Sequence, residues 1–226
     1  MPTVTTIEVA HRTSPLVAWG LLAGGVFFFA GGPMHPKQDP PNVTVKEHMR
    51  IMFEDPSWYP SHTVLLIGMA LLALSLVALV RGRSLADVPR MPVVAVIAAI
   101  ATAVAAPAML LHLVAAADAD RIAAHHSTPI TDVQVIVETI TVPAFGFSIA
   151  ALAFVGAATR TLGNLVTAIP GVLGGVGYGL AGATFLVTDK LDFLFPTAAG
   201  IAVWAMAAGT GLLLRRRAAS TATREA

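Results

Sequence analysis

Four side chains that can bind a metal are predicted to lie at one depth near the end of four helices: His35, His62, His112 and Glu138. Each lies about 20 residues from the opposite end of its helix, which is roughly 30 Å at about 1.5 Å per residue. Three imidazoles and a carboxylate are enough to bind Zn²⁺, Mn²⁺, Fe²⁺ or Cu²⁺. The sequence therefore predicts a divalent transition-metal site with these four residues as ligands.

Three other interpretations of the same residues stay open. Glu138 and His112 can act as a catalytic acid and base, because a carboxylate at the edge of hydrocarbon resists ionisation and exchanges protons near neutral pH. His62 and His112 can be the axial ligands of a haem, although His62 lies too near the start of its helix to face deep into a bundle. Polar residues, imidazole included, also end many membrane helices without any site.

Further candidate ligands are predicted on the same side of the membrane, as spare ligands or as partners that orient the first four. They are His48, His125, His126, Asp118 and Asp120, and Asp189 is expected slightly farther out, overhanging the layer of the first four. Met34, Met49 and Met52 offer soft ligands for copper. The chain contains no cysteine, so a thiolate metal site, an iron–sulfur cluster and a disulfide are excluded.

Composition places the helices that carry these residues in a membrane. Of 226 residues, 56% are hydrophobic and 12% are charged, and the mean hydropathy is +0.75, which exceeds what one soluble core buries. A membrane helix needs roughly 20 mainly apolar residues. Six stretches qualify: residues 15–33, 62–80, 92–114, 137–159, 165–187 and 194–214.

The predicted fold is an all-α integral membrane protein, a single bundle of six transmembrane helices over residues 15–214. Residues 1–14 form an N-terminal arm and residues 215–226 a basic tail. An amphipathic surface helix is expected over residues 44–54 in the first outer loop, because apolar residues recur there at helical spacing. Trp58 and Tyr59 follow it as predicted anchors at the membrane interface.

Charge predicts the orientation of the bundle. Nine of the fourteen Lys and Arg residues fall on the side of the two termini, so both termini are expected to be cytoplasmic. Ten of the thirteen carboxylates and six of the seven histidines fall on the outer side. That acidic face attracts cations and excludes nucleic acid as a partner. The preference for Ala, Gly and Arg suggests a bacterial plasma membrane.

Three classes of function follow from these patterns. The first is an outer metal site for catalysis or metal handling. The second is a non-catalytic accessory subunit that binds a membrane-protein partner through the small-residue face of Gly171, Gly175 and Gly179. The third is an enzyme or carrier for a lipid-soluble substrate, which would enter a cavity below Glu138. No Asp, Glu, Lys, Arg or His lies in the middle of any span, which disfavours ion-coupled transport.

Overall fold

The computed structural model describes residues 13–36, 43–187 and 189–225, and all regular structure in these ranges is helical. Its α-helices are α1 (Pro15–Met34), α2 (Val45–Glu54), α3 (Trp58–Arg81), α4 (Met91–Val114), α5 (Ala119–Ala123), α6 (Pro129–Ala158), α7 (Leu165–Ala181) and α8 (Ala198–Glu225). Short 3₁₀ helices span Ala115–Asp118, Gly182–Phe185 and Asp189–Thr197. Six segments, each built on one of α1, α3, α4, α6, α7 and α8, are long and apolar enough to cross a membrane, which confirms the predicted number.

The six long helices form a closed ring in chain order. Each packs against the next, and α8 returns to pack against α1. Because consecutive helices run in opposite directions, the ring has two distinct polar ends. The histidine end contains the end of α1, the start of α3, the end of α4 and the start of α6, whereas the arginine end contains Arg81, Arg90, Arg160 and Arg215.

Apolar side chains fill the ring and also cover its outside. Phe28 of α1 meets Phe145 of α6 edge to face, with ring centroids 6.2 Å apart, and both are buried. Large apolar side chains such as Leu74, Ile140 and Leu173 point away from the bundle and are about two-thirds exposed. An apolar exterior of this kind is suited to contact with a lipid bilayer.

Several predicted helix boundaries are wrong, and each error has a local cause. Helix α3 begins at Trp58 instead of residue 62, after a turn in which Asp55 Oδ1 accepts hydrogen bonds from the amide and hydroxyl of Ser57. Helix α6 begins at Pro129, eight residues before the apolar stretch at 137–159, because proline suits the first helical position. Helix α8 continues to Glu225, beyond residue 214, so the predicted basic tail is largely helical.

The predicted amphipathic helix is present as α2. Its N-cap is Thr44, whose hydroxyl accepts a hydrogen bond from the Glu47 amide at 3.2 Å. Its apolar residues Met49 and Phe53 are buried against protein, in a cluster that includes Trp58 and residues following α4. The helix therefore covers the histidine end of the ring and uses its apolar face to pack against the rest of the chain.

The glycine face of α7 packs inside the chain. A Cβ atom added at Gly175 would lie 2.5 Å from the Gly146 carbonyl oxygen and 2.9 Å from the Ala150 Cβ of α6. One added at Gly179 would meet the Phe147 ring of α6, and one at Gly171 would meet Trp204 and Ala153. The chain itself covers the face predicted to bind a partner, because only glycine permits this close approach of α6 and α7.

Candidate metal centre

Three of the four predicted ligands converge at the histidine end. Nitrogen atoms of His35, His62 and His112 all lie within 4.8 Å of one another. His35 is the residue that caps α1, His62 lies in the second turn of α3 and His112 lies in the last turn of α4. The match in depth predicted from sequence therefore corresponds to a cluster of side chains from three neighbouring helices.

The backbone of α3 fixes the tautomer of His62. His62 Nδ1 lies 2.7 Å from the Trp58 carbonyl oxygen, and a carbonyl only accepts hydrogen bonds, so Nδ1 carries the hydrogen. The Ser61 hydroxyl donates to the same oxygen at 3.0 Å. In the neutral ring, Nε2 of His62 is left with a lone pair.

Glu138 fixes the tautomer of His112 from the opposite side. Glu138 Oε1 lies 2.7 Å from His112 Nδ1, and Gln134 Nε2 donates to Glu138 Oε2. Gln134 Nε2 also lies 2.9 Å from His112 Nδ1, but the shorter contact with Oε1 places the hydrogen on Nδ1 when Glu138 is ionised, and Nε2 of the neutral ring then has a lone pair. Glu138 therefore lies behind His112, on the side of the ring that faces away from His62.

The two free nitrogens face each other. His62 Nε2 and His112 Nε2 are 3.1 Å apart, so either a proton or a metal ion must lie between them, because two lone pairs at that distance repel. Nitrogens bound at about 2.0–2.1 Å to one tetrahedral ion are separated by roughly 3.3 Å, close to the observed distance. Axial haem ligands lie on opposite faces of a macrocycle, roughly 4 Å apart at this bond length, so these two residues are too close to bind a haem.

His35 completes the cluster from the end of α1. Its Nδ1 lies 3.0 Å from the Pro36 carbonyl oxygen and its ring centroid lies 4.7 Å from that of His62. By the same reasoning Nδ1 donates and Nε2 is the free nitrogen. Burial holds the pKa of His35 below the ordinary imidazole value, because desolvation disfavours the charged ring. The neutral form that binds metals is thus favoured.

Trp58 holds the cluster together, a role that the sequence analysis missed. Its ring lies 3.8 Å from that of His62 and 4.9 Å from that of His112, centroid to centroid. Its Nε1 donates to the Leu113 carbonyl oxygen at 3.2 Å, and it is fully buried. The prediction of an interfacial anchor is wrong for Trp58, whereas Tyr59 is exposed. The four-residue spacing of Trp58 and His62, which places them on one helix face, was the available signal.

The other predicted ligands are not part of this cluster. His125, His126 and Asp120 are exposed, and Met49 packs under α2. The side chain of Asp189 lies outside the described residues. Within the described ranges, the group of nitrogen and carboxylate ligands close enough to share an ion consists of the three histidines alone.

Asp118 is buried and serves a structural purpose instead. Its Oδ2 accepts hydrogen bonds from the backbone amides of Ile130 and Thr131, both at 2.9 Å. These amides lie in the first turn of α6, where backbone donors lack partners within the helix. Asp118 therefore caps α6 and positions Gln134 and Glu138, which follow on the same helix.

Comparison with known proteins finds no family model, curated protein or solved structure that matches the chain.

Proposed function

We propose that this chain is a multi-pass membrane protein that holds one transition-metal ion through Nε2 of His35, His62 and His112. The observation that carries the proposal is the 3.1 Å approach of two Nε2 atoms whose Nδ1 atoms are both engaged by acceptors. This spacing requires a proton or a metal ion between the two nitrogens, and it matches the spacing of ligands on one metal ion.

The donor set favours zinc or copper over the other predicted metals. Three neutral imidazoles suit Zn²⁺ and Cu²⁺, whereas Mn²⁺ prefers carboxylate ligands and iron in open sites commonly takes two imidazoles and a carboxylate. Glu138 is engaged with His112 and Gln134, so we assign it to orienting His112 instead of binding the ion. Three protein ligands leave a fourth position open, and a zinc ion in such a site lowers the pKa of its bound water to about 7.

Burial and fixed orientation support a resident ion over a transported one. His62 is 1% exposed and Glu138 is 5% exposed. Each Nδ1 is hydrogen-bonded to a carbonyl or carboxylate oxygen, and such partners hold ligands in place and strengthen metal binding. We therefore propose a catalytic type of centre, in which Glu138 and Trp58 position the ligands and the open coordination position receives a small molecule.

The charge distribution supports an orientation with the centre outside. The arginine end contains Arg81, Arg83, Arg90, Arg160 and Arg215–Arg217, and such residues are retained on the cytoplasmic side. We propose a bacterial plasma membrane with both termini inside. A reporter fused after Ala226 that fluoresces only in cytoplasm tests this orientation.

The alternative of a lipid-soluble substrate receives less support. The cavity that adjoins Glu138 and Tyr178 has a volume of about 20 Å³, enough for one water molecule and too small for a lipid-soluble substrate. The alternative of an accessory subunit rested on the glycine face, which α6 and α8 cover.

Metal content is the direct test. Protein purified without a polyhistidine tag, loaded with Zn²⁺ and dialysed is expected to retain one zinc per chain by elemental analysis. The variant His62→Ala with His112→Ala is expected to retain none. The matched control is His125→Ala with His126→Ala, which removes two exposed histidines at the same end and should retain the metal.

Two results would contradict the proposal. Equal zinc in the His62→Ala, His112→Ala variant and in the control would show that binding occurs elsewhere. Substoichiometric zinc and copper in the unchanged protein after loading would show that the three imidazoles do not form a metal centre.

A further inference from the structure

One face of α6 is polar, and this face extends from the histidine end into the apolar part of the bundle. Thr131, Gln134, Glu138 and Thr141 recur at helical spacing, and all four are more than nine-tenths buried. Ten residues of helix span about 15 Å. Placing polar groups inside an apolar span is unfavourable unless each finds a hydrogen-bond partner.

Two oxygen atoms on this face lack partners among the residues that the structure describes. They are Thr131 Oγ1 and Gln134 Oε1, and both side chains are fully buried. Rotating the Gln134 amide does not solve the problem, because it would leave the amide nitrogen without a partner in place of the oxygen. A buried oxygen without a protein partner is normally satisfied by water.

A cavity continues the face at its inner end. It has a volume of about 20 Å³ and is lined by Glu138 and Thr141 of α6, Tyr178 of α7, and Ala105 and Ala108 of α4 among others. A cavity needs roughly 10 to 15 Å³ and two or more polar partners to hold a water molecule. A carboxylate and two hydroxyl groups meet both conditions.

We propose that the buried polar face of α6 carries a file of water molecules from the histidine end to this cavity. Thr131 Oγ1 and Gln134 Oε1 are the first protein partners of the file, and Glu138, Thr141 and Tyr178 are the last. The water bathes the side of Glu138 that faces away from His112, so protons and water reach the centre from within the bundle. The proposal does not depend on metal binding.

Hydrogen exchange of a single thiol tests it, since the chain has no cysteine. In metal-free Thr141→Cys, transfer to D₂O is expected to convert the S–H stretching band to the S–D band within the mixing time. Ala108→Cys lines the same cavity from α4 and is expected to behave alike, which keeps the test valid if one variant misfolds. The infrared spectrum of the wild-type protein supplies the baseline.

Two matched controls define slow exchange. Ala98→Cys places a thiol on α4 at a buried alanine outside the cavity, and Ile140→Cys places one beside Thr141 on the exposed apolar side of α6. Both are expected to exchange at least tenfold more slowly than Thr141→Cys in lipid nanodiscs. Equal rates at Thr141→Cys, Ala108→Cys and Ala98→Cys would overturn the proposal.

Thr131→Val supplies a second measurement, because valine keeps the shape of threonine and removes only the hydroxyl. If water occupies the face, the variant is expected to lower the melting temperature and to slow thiol exchange at Thr141→Cys severalfold. If no water occupies the face, the melting temperature should stay the same or rise and thiol exchange should not change, since deleting an unpartnered buried hydroxyl is neutral or stabilising. A raised melting temperature with unchanged thiol exchange would therefore also overturn the file.

Discussion

The two ends of the bundle use polar side chains in opposite ways. At the arginine end, Arg215 donates to the carbonyl oxygens of Arg160 and Thr161, both at 3.0 Å, and to that of Gly211 at 3.1 Å. Arg216 donates to the Thr13 carbonyl oxygen in the same way. The bonds to Arg160 and Thr161 satisfy backbone acceptors just beyond the end of α6.

At the histidine end, polar side chains from different helices meet in the interior of the bundle. Nδ1 of His62 donates to the Trp58 carbonyl oxygen, Nδ1 of His112 contacts Glu138, and the two Nε2 atoms face each other. Arginine thus stabilises the fold at one end, whereas the three histidines at the other end converge on one another, an arrangement that we propose a metal ion completes. The contrast argues that the histidines are more than ordinary polar helix ends.

The largest expected difference between the two ends is in their response to zinc. At free Zn²⁺ about 1,000 times its dissociation constant, binding should stabilise the protein by about 4 kcal/mol. His112→Ala should abolish that increase, measured as a shift in the unfolding midpoint in detergent. Arg215→Met should unfold at a lower midpoint yet keep the full zinc-induced shift. A zinc-induced shift that survives His112→Ala would remove the distinction between the ends.

The Glu138 carboxylate, which contacts His112, should determine how tightly the centre binds zinc. Glu138→Gln keeps the size of the side chain and removes its charge, and loss of such a partner typically weakens metal binding by about 10- to 100-fold. Competition with a chelator of known affinity measures the change. Asp132→Asn is the control, because it removes an exposed carboxylate from the same helix. Equal affinities in the two variants would show that Glu138 does not hold His112.

Arg215 should contribute stability that is independent of metal. Arg215→Met removes three hydrogen bonds from a charged donor to backbone carbonyls, and we expect a loss of about 2 kcal/mol in unfolding free energy after allowing for partial exposure. Denaturant unfolding of the zinc-free protein measures it. A loss that appears only in zinc-loaded protein would mean that the two ends are coupled.

The sequence predicts the helical membrane architecture well because run length and hydropathy depend on local composition. It also predicts the shared depth of His35, His62 and His112, since depth follows from counting residues along helices. Depth does not determine how each helix is rotated about its own axis. The sequence therefore predicts Glu138 as a ligand, whereas in the structure Glu138 contacts the far side of the His112 ring.

Long-range packing explains what the sequence analysis missed. The sequence predicts an anchor at Trp58 because aromatic residues at helix ends usually face the interface. It is buried because α2 packs over the start of α3 and supplies Phe53, whose ring centroid lies 4.7 Å from that of Trp58. Asp118 caps a helix that begins eleven residues later, a contact that local patterns do not encode.

Low pH should weaken zinc binding at the histidine end. A metal requires neutral imidazoles, so lowering the pH from 7 to 5, across the unperturbed imidazole pKa of about 6.5, should weaken zinc binding roughly tenfold or more. Burial lowers the pKa of His35, so this ring stays neutral to lower pH than an exposed histidine and the loss should fall mainly below pH 6.5. Zinc titrations at several pH values measure it. Zinc affinity that is constant from pH 7 to 5 would contradict binding through imidazole.

The smallest expected effect concerns the ion pair that joins α2 to α6 at the histidine end. Lys46 Nζ lies 2.9 Å from Asp132 Oδ1 and donates to Thr128 Oγ1 at 2.8 Å. Both charged side chains are about half exposed, so Lys46→Gln should cost less than about 1 kcal/mol.

The sign of the pH dependence identifies the Lys46 pair. The pair stabilises the fold only while Asp132 is ionised, so its effect is present above the ordinary carboxyl value of about 3.9 and is lost as pH falls further. Lys46→Gln should therefore lower the melting temperature slightly at pH 6 and less near pH 3. High salt at pH 6 should likewise reduce the difference between the variant and the unchanged protein. Asp132→Asn should match Lys46→Gln, and the double variant should add nothing more. An equal loss of melting temperature at both pH values would mean that Lys46 acts through its aliphatic stem. Apolar packing, including that of Met49 and Phe53, would then hold α2 over the centre without the ion pair.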